Sequence, residues 1–319
     1  MEKKQTKPKK GFYAEYIEPF MSALLIALVI RAVVIYPFRI PTGSMKDSLL
    51  IGDFLLANKF VYGIRTPDWI GIPYTKLGFE VPFIRLPGFR EPKQGDVVIF
   101  KYPRDISLNY IKRCIAVSGD TVVIDDKKVY VNGVQFHDAP KGKYVDPYIR
   151  PKDQPDYGMT RIYPPGAGNR DNFGPIRIPA PGDTFLFSEE TRNERDWIKW
   201  LQIAVYEGHK IEVVYRGEQN RLTVDNFRLW PKAIGQLPAS AFRIDGQPLD
   251  RYTYTVTNTH YFMMGDNRDD SLDSRYWGFL PERLVVGEAL IIYWSWDSEL
   301  PFYRLLEKVR WGRILNLIH

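Results

Sequence analysis

The longest apolar stretch of the chain lies near its start, from Pro19 to Tyr36. Its 18 residues include a single charge, Arg31. At ~1.5 Å per residue they make a helix of ~27 Å, close to the thickness of a bilayer core. Pro19 suits the first turn of a helix, and Pro37 disfavours helical backbone in the residue before it. The pattern predicts a transmembrane helix over residues 19–37.

The charges that flank this stretch are unequal. Few cations follow it closely, namely Arg39 and Lys46, whereas five precede it: Lys3, Lys4, Lys7, Lys9 and Lys10. Positive charge collects on the cytoplasmic side, so residues 1–18 are expected to form a cytoplasmic tail and the rest of the chain to face outward. No small-x-small cleavage site follows the apolar stretch, which favours an uncleaved signal anchor over a removable leader.

Beyond the anchor, the apolar positions follow the pattern of β-strands. Gly and Pro are frequent, with 24 of each, and the second of the runs below carries turn signals at Asp125-Asp126 and Asn132-Gly133. These features predict a mainly antiparallel β body. The strand-like runs are Val97–Tyr102, Thr121–Val134, Arg251–Phe262 and Leu284–Trp294.

The middle of the chain has a different composition, rich in loop-forming residues. One amphipathic helix is predicted near Glu189–Tyr206, and its apolar residues recur at helical spacing as a core stripe: Trp197, Trp200, Leu201 and Ala204. We therefore expect an inserted variable domain, residues 137–254, within a body formed by residues 38–136 and 255–319.

Two apolar and basic segments allow alternative interpretations. Trp69–Phe89 has many aromatic and aliphatic residues but no clean period, and Tyr303–Ile318 mixes Arg and Lys with Leu, Ile and Trp. Each segment is compatible with packing on the body or with contact to a bilayer surface.

Composition narrows the function classes. A chain of 319 residues with 45% hydrophobic residues can form a substantial core, and its net charge of +6 comes with no basic-aromatic array, so no nucleic-acid partner is expected. The single cysteine, Cys114, excludes an intrachain disulfide. Four scattered histidines lack metal-ligand spacing. Neither a metal ion nor an organic cofactor is expected.

Three blocks carry the candidate chemistry: Ile40–Met45 (IPTGSM) directly after the anchor, Tyr110–Arg113 (YIKR), and Gly265–Gly278 (GDNRDDSLDSRYWG). In this order and behind a membrane anchor, they resemble bacterial type I signal peptidase, also called leader peptidase. The resemblance extends from about Pro37 to Glu288.

The first two blocks contain a potential nucleophile and a potential base. Ser44 requires a base to act near neutral pH, and no Ser-His-Asp arrangement with a recognisable elbow is visible. Burial beside Ile111, Cys114 and Ile115 would lower the pKa of Lys112 and leave a neutral amine. From the residues alone, a strand lysine is more often an exposed charge; the resemblance implies that Lys112 is the general base and Ser44 the nucleophile.

The resemblance implies further roles around this pair. The Ser44 N–H and the Thr42 hydroxyl would stabilise the oxyanion, and Ser271 would orient the Lys112 ammonium by a hydrogen bond. Asp273 and Arg275 would form a supporting ion pair. Shallow apolar pockets for the substrate would be built by Ile40, Leu49 and Ile111.

The resemblance also implies a mainly β fold and cleavage of signal peptides from exported preproteins. The expected partners are these preproteins, the lipid bilayer and the protein translocation machinery. The expected location is the bacterial cytoplasmic (inner) membrane, crossed once, with the catalytic domain on the periplasmic side.

The sequence leaves two alternative functions to consider. A self-cleaving Ser-Lys protease of the SOS repressor kind would carry an N-terminal DNA-binding helix-turn-helix, whereas the sequence of this chain predicts a membrane anchor in that region. A membrane-anchored β-domain that binds exported chains without cutting them would be expected to have lost Ser44, Lys112 or Ser271, and all three are present.

Overall fold

The computed structural model describes residues 11–33, 35–46, 48–63, 66, 69–71, 78–81, 85–137, 143–156, 162–215, 218–222, 230–297 and 299–318. The lysines at positions 3–10 lie outside these residues, as do residues 72–77 and 82–84 of the Trp69–Phe89 segment.

The N-terminal helix is shorter than the apolar pattern predicts. A π-helical turn, Tyr13–Ile17, leads into α1, Glu18–Val33, and strand β1 occupies Ile35–Arg39. The prediction of helix through residue 37 is therefore wrong at its C-terminal end. Pro37 requires extended backbone before it, and β1 gains a ladder of hydrogen bonds by pairing with the next strand. Among the described residues, no helix is both long and apolar enough to span a membrane.

Antiparallel β-structure dominates the rest of the chain, as predicted. In chain order the remaining strands are β2 Asp53–Asn58, β3 Trp69–Gly71, β4 Gly78–Glu80, β5 Val97–Tyr102, β6 Asp105–Val117, β7 Thr121–Asp125, β8 Lys128–Val131, β9 Val134–Gln135, β10 Phe173–Arg177, β11 Thr184–Phe187, β12 Ile211–Tyr215, β13 Glu218–Leu222, β14 Phe242–Ile244, β15 Gln247–Pro248, β16 Tyr252–Thr255, β17 His260–Met264, β18 Leu280–Pro281 and β19 Val285–Ser295.

Helices are few and mostly short. The described helices after α1 are α2 Glu194–Glu207, α3 Trp230–Gln236, α4 Ser274–Trp277 and α5 Leu305–Lys308, together with single turns at Ala239–Ala241, Glu282–Leu284, Phe302–Arg304 and Trp311–Arg313.

The largest sheet has seven strands in the order β1-β2-β19-β5-β6-β17-β18. Two four-stranded sheets follow, β10-β7-β8-β9 and β13-β12-β14-β15, with two-stranded pairs β11-β16 and β3-β4. In the large sheet, β6 lies between β5 and β17. Because β6 carries Lys112, the candidate base is held on an interior strand of the sheet, in the buried part of that strand.

Several predicted elements differ from the structure only in their ends. Strand β5 matches the predicted run, and α2 begins at Glu194, because the Asn193 side chain caps it by accepting from the Asp196 N–H. The first hairpin turns at Asp126-Lys127, one residue later than predicted. The run Arg251–Phe262 is divided between β16 and β17.

The hydrophobic core crosses the predicted limits of the inserted domain. One cluster joins Ile115 and Val122 of the body to Trp197 and Phe242 of the middle region. Strand β10 of the middle region also pairs with β7 of the body. The proposed insertion thus packs on the body through a continuous apolar interior, and the division into domains stays a prediction.

Candidate active site

Ser44 lies in the loop that connects β1 to β2. The base of the loop is closed by the Ile40 N–H, which donates to the Asp53 carbonyl over 2.9 Å. Met45 is buried and holds the loop in the apolar core, whereas Ser44 is half-buried. The loop therefore presents the Ser44 hydroxyl from a fixed backbone.

Lys112 lies in β6, opposite Val98 of β5, and its side chain is only 3% exposed. The Lys112 Nζ donates to the Ser44 Oγ over 2.5 Å and to the Ile111 carbonyl over 3.1 Å. The structure thus brings the predicted nucleophile and the predicted base into direct contact. At this distance a proton can pass between the two atoms without an intervening water.

Burial lowers the pKa of Lys112 to about 8. The apolar surroundings disfavour the ammonium, and the negative charges of Asp273, Asp266 and Asp270 act in the opposite direction. A substantial fraction of Lys112 is consequently neutral at mildly alkaline pH. A neutral amine in contact with a serine hydroxyl can accept its proton.

The segment Gly265–Asn267 packs on the backbone of the serine loop. The Asn267 N–H donates to the Ser44 carbonyl and its side-chain amide donates to the Gly43 carbonyl, each over 3.1 Å. A Cβ added at Gly265 would lie 2.4 Å from the Ser44 carbonyl oxygen and 2.3 Å from the Ser271 Oγ. Only glycine therefore fits between the two serines.

A buried ion pair connects this segment to β6. The Arg113 Nε and a terminal guanidinium nitrogen donate to the two carboxylate oxygens of Asp266 over 2.8 and 2.7 Å. The two side chains are 3% and 1% exposed. Ser48 of the serine loop also donates to Asp266, over 2.5 Å. Asp266 thus joins the base strand to the nucleophile loop.

Asp273 and Arg275 form the ion pair that the resemblance implies. The Arg275 Nε and a terminal nitrogen donate to the two Asp273 oxygens, both over 2.9 Å, and both side chains are fully buried. Arg275 donates further to the carbonyls of Arg170 and Arg268. The pair holds the backbone that follows Ser271 against the middle region.

Ser271 is buried close to the pair, but its hydroxyl makes no hydrogen bond to any described residue. Its Oγ lies against the backbone of Gly265. The orienting role that the resemblance implies for Ser271 stays a prediction.

A cavity of about 220 Å³ opens at Ser44 and Lys112. The predicted residues Thr42 and Ile111 also line this cavity, whereas Leu49 is fully buried in the apolar core. Ile40, at 1% exposure, lies in the same core. The complete lining is Phe38, Pro41, Thr42, Gly43, Ser44, Asn109, Tyr110, Ile111, Lys112, Asp270 and Leu272.

The three sequence motifs contain further residues whose contacts only the structure reveals. Gly265, Asp266, Asn267 and Arg113 all lie inside the motifs, but their partners are distant in sequence. The opposite charges of Arg113 and Asp266 in two separate motifs are the one signal that could have indicated a pair. Among the described residues, no three His, Cys, Asp or Glu side chains come together as metal ligands would.

Comparison with protein families gives one match that covers most of the chain. The model of signal peptidase, peptidase S26, matches residues 13–172 and 156–294. The matched segments contain all three motifs.

Curated relatives match over a similar length. Signal peptidase I of Buchnera aphidicola subsp. Acyrthosiphon pisum is 30% identical over 297 residues, which cover 93% of this chain and 80% of the relative. Signal peptidase I of Pseudomonas aeruginosa is 29% identical, covering 91% and 75%. A solved signal peptidase I from Enterococcus faecalis V583 is 20% identical over 62% of this chain and 97% of its own, with a TM-score of 0.24, too low to support a comparison of the two folds.

Proposed function

Because this chain belongs to the peptidase S26 family of signal peptidases, we propose that it is a membrane-bound serine endopeptidase that removes signal peptides from exported preproteins, with Ser44 as nucleophile and Lys112 as general base. The observation that carries the proposal is the 2.5 Å contact between the Lys112 Nζ and the Ser44 Oγ, both of which line the cavity.

The reaction begins when the neutral Lys112 amine takes the proton of Ser44. The Ser44 oxygen attacks the scissile carbonyl carbon and forms a tetrahedral oxyanion. As this intermediate collapses, the Lys112 ammonium gives its proton to the leaving amine, and the mature protein departs. The signal peptide remains as an ester on Ser44. Water, deprotonated by Lys112, then hydrolyses the ester and regenerates both groups.

The oxyanion is stabilised by the Ser44 N–H and the Thr42 hydroxyl. Within the described part of the chain, the Ser44 N–H donates no backbone hydrogen bond, and Thr42 is exposed at the cavity wall. Both donors are therefore available to a substrate. Loss of one donor of this kind raises the barrier of acyl transfer by about 3 kcal/mol.

The substrate binds in extended form beside β6. Strand β17 pairs only with Arg113–Val117 of β6, whereas β5 pairs with Asp105–Arg113 on the other side. No described strand covers the outer edge of residues 105–112. An extended peptide that adds to this edge brings its scissile bond towards Ser44.

The size of the cavity favours small side chains next to the scissile bond. A volume of about 220 Å³ shared by several subsites leaves little room for large residues. Ile111 lines these subsites directly, and Ile40 and Leu49 support them from the core behind.

The membrane anchor lies in the N-terminal segment, with residues 1–18 on the cytoplasmic side and the catalytic body on the periplasmic side of the inner membrane. The large apolar side chains of α1 whose burial is described are exposed, which is the arrangement that lipid contact requires: Phe20, Met21, Leu24 and Ile26. The catalytic body comprises residues 38–136 and 255–319, and residues 137–254 form the insertion.

The proposal is tested by cleavage of a purified preprotein in detergent, with sequencing of the new N-terminus. Ser44→Ala and Lys112→Ala are each expected to lower kcat/KM by several orders of magnitude. The matched controls are Ser240→Ala and Lys128→Ala, which alter an exposed serine and an exposed lysine away from the cavity. Substantial cleavage by either site variant, or no cleavage by the unaltered protein, would refute the assignment.

A further inference from the structure

Lys127 has an unusual position for a lysine. It forms the turn of the β7–β8 hairpin with Asp126, and both residues have positive φ, 66° and 46°. Such turns favour Gly, Asn and Asp, because most other residues are strained at positive φ. The Lys127 side chain is nevertheless only 8% exposed. A strained and buried lysine indicates that the side chain makes compensating contacts.

The Lys127 ammonium is surrounded by oxygen atoms. It donates to the Asp146 carbonyl over 2.6 Å and lies 3.8 Å from an Asp171 oxygen and 3.6 Å from an Asp269 oxygen. The Tyr144 ring centroid is 5.1 Å away. One ammonium therefore connects the hairpin, two segments of the middle region and the motif that contains Ser271.

Asp269 depends on this contact. One of its oxygens accepts from the Val145 and Asp146 N–H groups. The other is buried, accepts no hydrogen bond from any described residue, and faces Lys127. A buried carboxylate oxygen without a donor or a cation nearby is costly, so the position of Asp269 is tied to the charge of Lys127.

The residues that follow Asp269 belong to the candidate active site. Asp270 lines the cavity, and Ser271 packs on Gly265, which itself contacts the Ser44 carbonyl. A displacement of Asp269 is therefore transmitted within two residues to the surroundings of Lys112.

We propose that Lys127 is a positioning residue: its ammonium holds Asp269, and through Asp269 the loop 266–273, in the arrangement that closes the pocket around the Ser44 and Lys112 pair. This role rests on the proposed peptidase function. Lys127 itself does not contact the reacting atoms. Without its charge, the loop loosens and water enters the pocket of Lys112.

The test compares Lys127→Met, Asp269→Asn, the double variant and a control, Lys152→Met. Lys152 also contacts an aspartate of the hairpin, Asp125, but with a side chain 72% exposed. The readouts are kcat and KM for preprotein cleavage, and the titration of Lys112 followed by NMR of isotope-labelled lysine, with its signal assigned from Lys112→Met.

In Lys127→Met and in Asp269→Asn, kcat is expected to fall about tenfold or more while KM stays within about threefold. The Lys112 midpoint should move upward towards the ordinary lysine value, because entry of water relieves the burial that lowers it. The double variant should be no worse than the poorer single variant, since both changes break one connection. Lys152→Met should behave like the unaltered protein.

Unchanged kcat and an unchanged Lys112 titration in Lys127→Met would overturn the proposal, as would losses that multiply in the double variant. If circular dichroism shows that Lys127→Met does not fold, the kcat and the Lys112 titration of Asp269→Asn test the proposal instead. The titration does not require cleavage. A shifted midpoint in a chain that cleaves no preprotein would therefore support the positioning role and refute the peptidase function separately.

Discussion

At the scale of single residues, opposing influences determine the protonation of Lys112. Burial lowers its pKa, whereas Asp273, Asp266 and Asp270 raise it, and the result is about 8. Asp266 and Asp273 are themselves neutralised by bidentate contacts with Arg113 and Arg275. The arginines thus limit how strongly the carboxylates favour the ammonium, and the lysine remains able to act as a base.

Replacement of Lys112 by methionine is expected to abolish cleavage and to stabilise the fold. The pKa of Lys112 is about 8 in the folded protein and about 10.4 in the unfolded chain. Burial of Lys112 therefore lowers the free energy of unfolding at low pH, where the folded protein must bury a charged ammonium. This cost is full below about pH 8 and disappears as the pH rises through the unfolded value. Lys112→Met should therefore gain about 2 to 3 kcal/mol at pH 7 and progressively less towards pH 10.

Denaturant unfolding of both proteins between pH 6 and 10 measures this difference. A methionine variant that is less stable than the unaltered protein at pH 7 would show that Lys112 is a stabilising charge. The mechanism proposed for it would then be untenable.

Gly265→Ala should damage catalysis through geometry alone. The new methyl group would collide with the Ser44 carbonyl and the Ser271 hydroxyl. A displacement of the nucleophile loop by a fraction of an ångström to 1 Å is expected to lower kcat/KM about 100-fold. Gly235→Ala is the matched control, because an added Cβ there meets nothing within 4 Å. Equal activity of the two variants would contradict the packing described for Gly265.

At the scale of elements, periodicity predicted what local sequence determines. The run Val97–Tyr102 and the helix that contains Trp197 and Leu201 are strongly patterned, and the structure contains both. Strand β1 could not be predicted in the same way, because Ile35 and Tyr36 continue an apolar stretch and become a strand only by pairing with β2. The first hairpin turn was predicted one residue too early, because the lysine within it is stabilised by residues distant in sequence.

The ion pair between Arg113 and Asp266 should contribute more to stability than a surface pair. Arg113→Met leaves a buried carboxylate without its guanidinium partner and is expected to cost about 3 to 5 kcal/mol. Arg177→Met removes an exposed partner of Asp183 and is expected to cost about 1 kcal/mol or less. Thermal and denaturant unfolding compare the two. A similar, small loss in both would contradict the stabilising role described for the contact between Arg113 and Asp266.

At the scale of the whole molecule, the three motifs meet although they are far apart in the chain. Their membership of one site was predictable from the resemblance, and the contact between Lys112 and Ser44 agrees with that prediction. The contacts of Asn267 with Gly43 and Ser44 were not predictable, because they depend on how β17 and the β1–β2 loop are placed by the sheet. The apolar cluster that joins Ile115 and Val122 to Trp197 and Phe242 also arises only in the folded chain.

The membrane orientation is testable by thiol labelling of spheroplasts. Gln5→Cys should resist an impermeant reagent, whereas Asp153→Cys should react, because the proposed orientation places residues 1–18 in the cytoplasm and the catalytic body outside. The native Cys114 is fully buried and gives little background. Labelling at position 5 but not at position 153 would reverse the proposed orientation.

The most direct test of the central claim is to titrate Lys112 by NMR and to compare its midpoint with the acid limb of the cleavage rate. A neutral Lys112 that deprotonates Ser44 predicts one midpoint near pH 8 in both measurements, with activity rising through it. Lys112→Arg should show no rise of cleavage rate with pH in this range, since the arginine guanidinium keeps its proton. A Lys112 that titrates near the ordinary lysine value, with a rate that does not change between pH 6 and 9, would contradict the account.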